Sequence, residues 1–230
     1  MNNRYNRQMM LPEIGEEGQK RIRAAKVLIV GVGGLGSPIA TYLTGAGIGR
    51  IGIIDDDVVD ATNLHRQVLY TEDEAGKPKV ECAKHRLQSL NSEIEIDAYP
   101  FRLTKENAHK LISHYDIVVD GIDNFATRYI VSDECQRQGK PYVYGAIRAM
   151  EGQVAVLCKG HSTYRTLLPD EEATLSMPHP GKAVLGTTPG VVGSVEASQV
   201  VMLAAGFGEP LIDKLWTVDL STMMSYVIEM

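Results

Sequence analysis

A chain of 230 residues, 44% hydrophobic and 23% charged, can bury a sizeable core as one α/β domain or one domain with a short lobe. Its ordinary composition, free of biased or repetitive stretches, excludes disordered and solenoid classes. A formal charge of -6 argues against a nucleic-acid surface, which needs a basic stripe to neutralise phosphates.

The first ten residues are polar, carry Arg4 and Arg7, and contain no apolar segment of signal-peptide type. Residues 1–25 read as an N-terminal helical arm. Residues 26–30 form a short β-rich apolar run leading into Gly31-Val32-Gly33-Gly34-Leu35-Gly36, after which 37–45 reads as a helix. A second run, 50–54, ends on Asp55 and closes a β-α-β unit about twenty residues beyond the glycines, as in mononucleotide-binding halves. Residues 78–90 read as an amphipathic helix, and 93–99 and 115–119 as strands. Residues 126–138 have helical spacing and stop at Gly139. Two strands, 142–146 and 153–158, follow as a hairpin, which departs from crossover topology. Proline, glycine, threonine and histidine break the pattern over 159–190, and an irregular stretch of that length is functional or mobile. Residues 191–205 are apolar almost all round, which places them in the core or at a subunit interface. Two strands, 215–220 and 223–228, end the chain. The expected fold is α/β: a Rossmann-like, mostly parallel sheet continued by antiparallel strands, with helices on both faces. Residues 1–230 are read as one domain, with a nucleotide-binding half at 26–146, a second half at 147–230, and a mobile crossover loop at about 159–189.

No apolar run reaches membrane-spanning length. Cys82, Cys135 and Cys158 are scattered and form no CxxC pair, which fits a reducing compartment, so the expected location is the cytoplasm. Cys135 and Cys158 read as small core residues, and Cys82, on the helix after Lys79, as non-catalytic.

A phosphate needs backbone N–H groups at close range, and the spacing of Gly31, Gly33 and Gly36 presents them at a helix N-terminus. Asp55 is placed to accept from ribose hydroxyls, while Asp56 and Asp57 read as solvated turn residues. On these residues alone NAD and ATP are equally good ligands. Downstream lie Thr62-Asn63-Leu64-His65-Arg66-Gln67, then Gly76-Lys77-Pro78-Lys79, then Asp120-Gly121-Ile122-Asp123-Asn124 with Arg128. Two cations and a further acid beside the crevice suit a triphosphate with Mg²⁺ better than a dinucleotide.

These motifs, together with Arg4-Tyr5-Asn6-Arg7-Gln8 and Gly208-Glu209-Pro210-Leu211, resemble the ThiF/MoeB/HesA family of sulfur-carrier adenylyltransferases, relatives of ubiquitin-activating enzymes. The resemblance implies that Gly34 and its neighbours cradle phosphate, that Asp55 and Asn63 fix the ribose and nearby groups, and that Arg66 and Lys79 bind phosphates. Gln67 and Asn124 belong to the same nucleotide-binding motifs, and Asp123 would hold Mg²⁺ transiently with ATP. Arg7 matches an arginine that reaches the ATP site of the other subunit in a homodimer. The implied reaction is adenylylation of the terminal glycine carboxylate of a small ubiquitin-like sulfur carrier ending in Gly-Gly, for thiamine or molybdopterin-type cofactor synthesis.

The chain also departs from that family. Where many members have Cys-Tyr-Arg-Cys as half of a zinc site, this chain reads Thr163-Tyr164-Arg165-Thr166; hydroxyls do not replace thiolates, so no structural zinc is expected. Where some members carry a cysteine that bonds to the carrier, the chain has His179. An NAD-dependent oxidoreductase and a non-catalytic activating-enzyme-like scaffold are the alternatives.

Overall fold

The computed structural model describes residues 3–178 and 183–230, so the position of His179 and part of the crossover loop lie outside the described residues. The chain opens with α1 (Asn6–Met9) and α2 (Gly15–Ala24), then enters β1 (Lys26–Val30), α3 (Gly36–Ala46) and β2 (Arg50–Ile54). Next come α4 (Lys79–Leu90), β3 (Glu95–Tyr99), α5 (Lys105–Ser113), β4 (Ile117–Asp120) and α6 (Phe125–Gln138). The hairpin β5 (Tyr142–Arg148) and β6 (Glu151–Leu157) follows, then α7 (Tyr164–Leu167), α8 (Glu171–Ser176) and α9 (Thr187–Ala205). The strands β7 (Lys214–Asp219) and β8 (Met224–Glu229) close the fold.

All these strands join one sheet of order β3-β2-β1-β4-β5-β6-β7-β8. Pairing is parallel from β3 to β5 and antiparallel from β5 to β8. Alternation along β1 sends Val27 and Ile29 to one face and Leu28 and Val30 to the other, and both faces are dry. The first face packs Ile39 and Leu43 of α3, Val80 and Leu87 of α4, and Val192 and Val200 of α9. The second packs Leu111 and Ile112 of α5, Tyr129 and Cys135 of α6, and Tyr164 of α7.

The order reverses between β1 and β4, and a ligand crevice opens outside the carboxyl ends of these strands. Gly31 and Gly121, the residues after β1 and β4, touch there: a Cβ on Gly31, at φ +89°, would lie 2.4 Å from the Gly121 carbonyl oxygen. A Cβ on Gly36 would lie 2.1 Å from the Gly31 carbonyl oxygen, so only glycine lets α3 begin this close to the turn.

The crossover region is less irregular than expected. Two short helices, α7 and α8, lie within it, and α9 begins at Thr187 with Pro189 tolerated in its first turn. Thr163 and Thr166 close a capping box at the start of α7. Arg165 donates to Asp133 at 2.7 and 2.9 Å and to Glu171 at 2.7 Å, lacing α6, α7 and α8 together. Past residue 182 the chain returns to the β5–β6 turn, where the Ala149 carbonyl accepts from Leu185 N–H at 3.1 Å and Thr188 Oγ at 3.0 Å. Cys82 and Cys135 are buried, but Cys158 is only half-buried just beyond β6, so it is not the core residue expected. Burial pushes all three thiols up, away from the thiolate form.

Candidate active site

The glycine turn is held from two sides. Asp55, at the end of β2, accepts the Val32 N–H at 2.9 Å and the Asp57 N–H at 2.9 Å, while the Tyr70 hydroxyl donates to the Val32 carbonyl at 2.8 Å. Burial pushes the Asp55 carboxyl up, and the Lys79 ammonium pulls it partly back. The Gly33 carbonyl takes the Ser37 N–H at 2.9 Å and the Ser37 hydroxyl at 2.7 Å. The N–H groups of Gly33, Gly34 and Leu35, in contrast, find no acceptor among the described residues. Three unused donors at the N-terminus of an eleven-residue helix form a cradle for an anion.

Residues 60–70 fold over this cradle. Asp60 caps a 3₁₀ turn over Ala61–Asn63 by accepting the Thr62 N–H at 2.8 Å. Arg66 and Gln67 then both donate backbone N–H groups to the Asn63 carbonyl, at 3.0 and 2.9 Å. The Arg66 guanidinium donates to Asn63 Oδ1 at 2.7 Å, and its Cδ would lie 3.7 Å from a Cβ on Gly34. Gln67 is buried, its Nε2 3.3 Å from a Cβ on Gly33, and its Oε1 is buried with no hydrogen-bond partner. An orphaned buried oxygen beside the cradle is a group that a ligand's donors would satisfy.

Lys79 opens α4, and its ammonium meets Asp57 Oδ2 at 2.8 Å; the lysine side chain is 4% exposed while its partner is 63% exposed. Asp57 is thus an ion-pair partner and not merely a solvated turn residue, and Arg102 likewise pairs with Asp56 at 3.1 Å. The carboxylate oxygens of Asp55, Asp56 and Asp57 lie within 4.8 Å of one another, but each acid already has these partners. Asp123, two residues past Gly121, is exposed, and its one hydrogen bond among the described residues is from the Asn124 amide to Oδ1 at 3.3 Å, leaving Oδ2 open to a hard cation. Asn124 caps α6 by accepting the Thr127 N–H at 2.9 Å, so the capping role suits it as well as any binding role.

The structure therefore gathers Gly31, Gly33, Gly34, Gly36, Asp55, Asn63, Arg66, Gln67 and Lys79 around one turn, with Asp123 and Asn124 at its β4 side. Arg7 is not brought there within the chain. It is exposed on α1, whose neighbours Tyr5 and Gln8 pack on Gly47 and Ala46 at the far end of α3. Sequence reasoning missed Pro189, whose Cβ would lie 3.3 Å from a Cβ on Gly34, and Gly186, where a Cβ would run into the His65 carbonyl oxygen. No local signal in the crossover region marks either contact.

An open sheet with its reversal at β1/β4, a helix N-terminus with free N–H groups, and cations from two further segments define a nucleotide-binding α/β protein. The chain belongs to the ThiF family, which it matches over residues 5–230. It is 46% identical over 225 residues to a sulfur carrier protein adenylyltransferase of Thermus thermophilus, covering 94% of this chain and 82% of that protein. It is 43% identical over 227 residues to the adenylyltransferase and sulfurtransferase MOCS3 of Arabidopsis thaliana; this covers 97% of the chain and 49% of the relative, about half its length. The solved structure of E. coli MccB with ATP superposes with a TM-score of 0.85 at 26% identity, covering 100% of this chain and 72% of that one. Among the described residues no helix is long and apolar enough to cross a membrane.

Proposed function

We propose that the protein is an adenylyltransferase that uses ATP to activate the C-terminal glycine carboxylate of a ubiquitin-like sulfur carrier, releasing pyrophosphate. The observation that carries this reading is the convergence of Arg66, Lys79 and the unused N–H groups of Gly33, Gly34 and Leu35 on one turn. A carboxylate is already ionised at neutral pH, so its oxygen needs no base to attack the α-phosphorus. As that bond forms, the bond from the α-phosphorus to the bridging oxygen breaks, and pyrophosphate carries the charge away. Two anions must be held together for this. Arg66 and Lys79 neutralise phosphate oxygens, the N–H cradle fixes them, and Asp55 orients the ribose side while bracing the turn. Lys79 would exchange its exposed partner Asp57 for phosphate. Asp123 would hold Mg²⁺, whose charge would further neutralise the departing phosphates.

Residues 147–230 take the role of the carrier-binding half, and 26–146 that of the nucleotide half. A groove of about 470 Å³, lined by Ala146, Arg148, Gln153, Thr217, Asp219 and Tyr226, runs from the carboxyl end of β5, beside the crevice. A flexible carrier tail laid along it would deliver its terminal carboxylate toward the cradle, with the crossover segment above. Arg7 acts from the second subunit of a homodimer. The names of the relatives support a sulfur-carrier substrate; molybdopterin-type or thiamine synthesis and a cytoplasmic location complete the reading. A dinucleotide oxidoreductase would leave Arg66 and Lys79 without a role, and an inactive scaffold would not need their convergence.

The test is ATP–pyrophosphate exchange with candidate carriers ending in Gly-Gly. Exchange with an intact carrier and none with its glycine-deleted form is the expected result. NAD binding without any carrier-dependent exchange would refute the reading.

A further inference from the structure

One buried acid has no use in this chemistry. Glu196 projects from α9, is fully buried, and neither carboxyl oxygen meets a hydrogen-bond partner among the described residues. Its carboxyl lies against Gly145 of β5, where a Cβ would come within 2.3 Å of the carboxyl carbon and 2.4 Å of both oxygens. Asp120 from β4, Arg128 from α6 and Tyr144 from β5 act on it electrostatically, and Arg128 reaches the same Gly145 through its carbonyl at 3.0 Å. The other elements packed on α9 add no charge here: the charged residues of α2, Glu151 of β6 and Tyr42 of α3 are all exposed.

Asp120 and Arg128 form a buried pair. Arg128 Nε donates to Asp120 Oδ2 at 3.0 Å, and one terminal nitrogen donates to the carbonyls of Ile122 at 2.6 Å and Gly145 at 3.0 Å. Asp120 also accepts the Tyr142 hydroxyl at 2.5 Å and the Ile122 N–H at 2.8 Å. Both backbone groups of Ile122, the residue before Asp123, are therefore tied to one ion pair. Glu196 and Arg128 therefore both abut Gly145, so two buried carboxyls share one guanidinium's field, and the cluster is neutral only when one of them holds a proton. Asp120 has three donors and Glu196 has none, so the proton resides on Glu196. Burial, reinforced by Asp120, pushes Glu196 well above the ordinary carboxylate range, with Arg128 opposing in part.

We propose that Asp120, Arg128 and Glu196 are positioning residues for the Asp123 turn, Glu196 staying neutral so that Arg128 remains committed to Asp120 and Ile122. An ionised Glu196 would compete for Arg128, draw it from the Ile122 carbonyl and loosen the turn. The proposal rests on the reading of Asp123 as the acid that holds Mg²⁺.

The experiment compares R128K, E196Q and D123N in carrier-dependent exchange and in thermal unfolding. Lysine keeps the charge beside Asp120 but lacks the fork that reaches both carbonyls, so the KM for Mg²⁺ in R128K rises about tenfold while the KM for carrier holds. Should R128K not fold, Tyr142→Phe, which removes one donor from Asp120, shifts the Mg²⁺ requirement in the same direction. Folded wild-type protein keeps a proton on Glu196 that the unfolded chain loses above the ordinary value of 4.5. Its stability therefore falls as pH rises above that value, up to the folded-state pKa, and E196Q escapes the loss. The folding equilibrium constant of E196Q gains on wild type by up to about tenfold per pH unit over that window. A pH-independent difference between E196Q and wild type overturns the proposal. A raised Mg²⁺ requirement in D123N but not in R128K or Tyr142→Phe overturns the positioning role and leaves the metal reading standing. An unaltered requirement in D123N removes the metal reading, and the proposal falls with it.

Discussion

Lys79 illustrates how a single side chain is prepared for a phosphate. Its ammonium is buried against the strand ends yet paired with Asp57, an acid that is mostly in water and easily given up. Arg66 is held differently, one terminal nitrogen donating to Asn63 Oδ1 at 2.7 Å and the other lying 3.4 Å from His65 Nε2, so its planar fork is fixed by neutral partners that do not cancel its charge. Lys79→Met and Arg66→Met are each expected to cut pyrophosphate exchange by about 10²–10³, the scale of a lost charge-stabilising donor. Melting curves should show the folded state retained; wild-type exchange rates in either variant would contradict the assignment. At this scale the sequence was only partly legible. The spacing of Gly31, Gly33 and Gly36 and the terminal placement of Asp55 follow from β-α-β geometry. That the Arg66 stem lies over Gly34 does not, because the turn from Asp60 to Tyr70 is fixed by tertiary contacts such as the Tyr70 hydroxyl on Val32.

Elements with strong periodicity and end signals were readable: β1, α3, β2, and α6 with its left-handed Gly139 cap. Short capped helices were not. The apolar content of α5 is confined to Ala108, Leu111 and Ile112, and α7 and α8 span a few residues each, so periodicity carries little signal. Their caps did carry one: Thr104 with Asn107, Thr163 with Thr166, and Asp170 on the Ala173 N–H. The start of the crossover is tied to the start of β7 by Asp213, which takes His161 Nδ1 at 2.7 Å and the Ser162 N–H at 2.7 Å. These partners, His161 first, lower the Asp213 carboxyl from its ordinary 3.8 to about 2. A lowered acid contributes stability above its unfolded value and loses it as pH falls through the folded one. The tie is therefore expected to hold above about pH 4 and weaken toward about pH 2, with a modest amplitude because the site is exposed. An acid titration of melting temperature that is the same in wild type and Asp213→Asn would contradict this.

For the whole molecule, a mostly parallel sheet continued by antiparallel strands was legible from alternating strand and helix patterns followed by paired strands, whereas the strand order comes from the structure. What joins two chains was not legible. Arg7 lies near the far end of α3, a helix roughly 16 Å long at 1.5 Å per residue, so within one chain it does not reach the cradle, and in the proposed homodimer it would serve the partner's site. Mixing R7A with R66A chains should then restore about a quarter of wild-type exchange, since half the dimers are mixed and each has one intact site. No recovery in verified mixed dimers would remove Arg7 from the site. The central claim is that the cradle and its cations direct a carboxylate to the first phosphorus of ATP. Single-turnover reaction with ATP labelled at the α-phosphate tests it most directly. Label appearing on the carrier as an acyl-adenylate, in step with pyrophosphate release, is the predicted result; label remaining in ADP, with phosphate released instead, would contradict it.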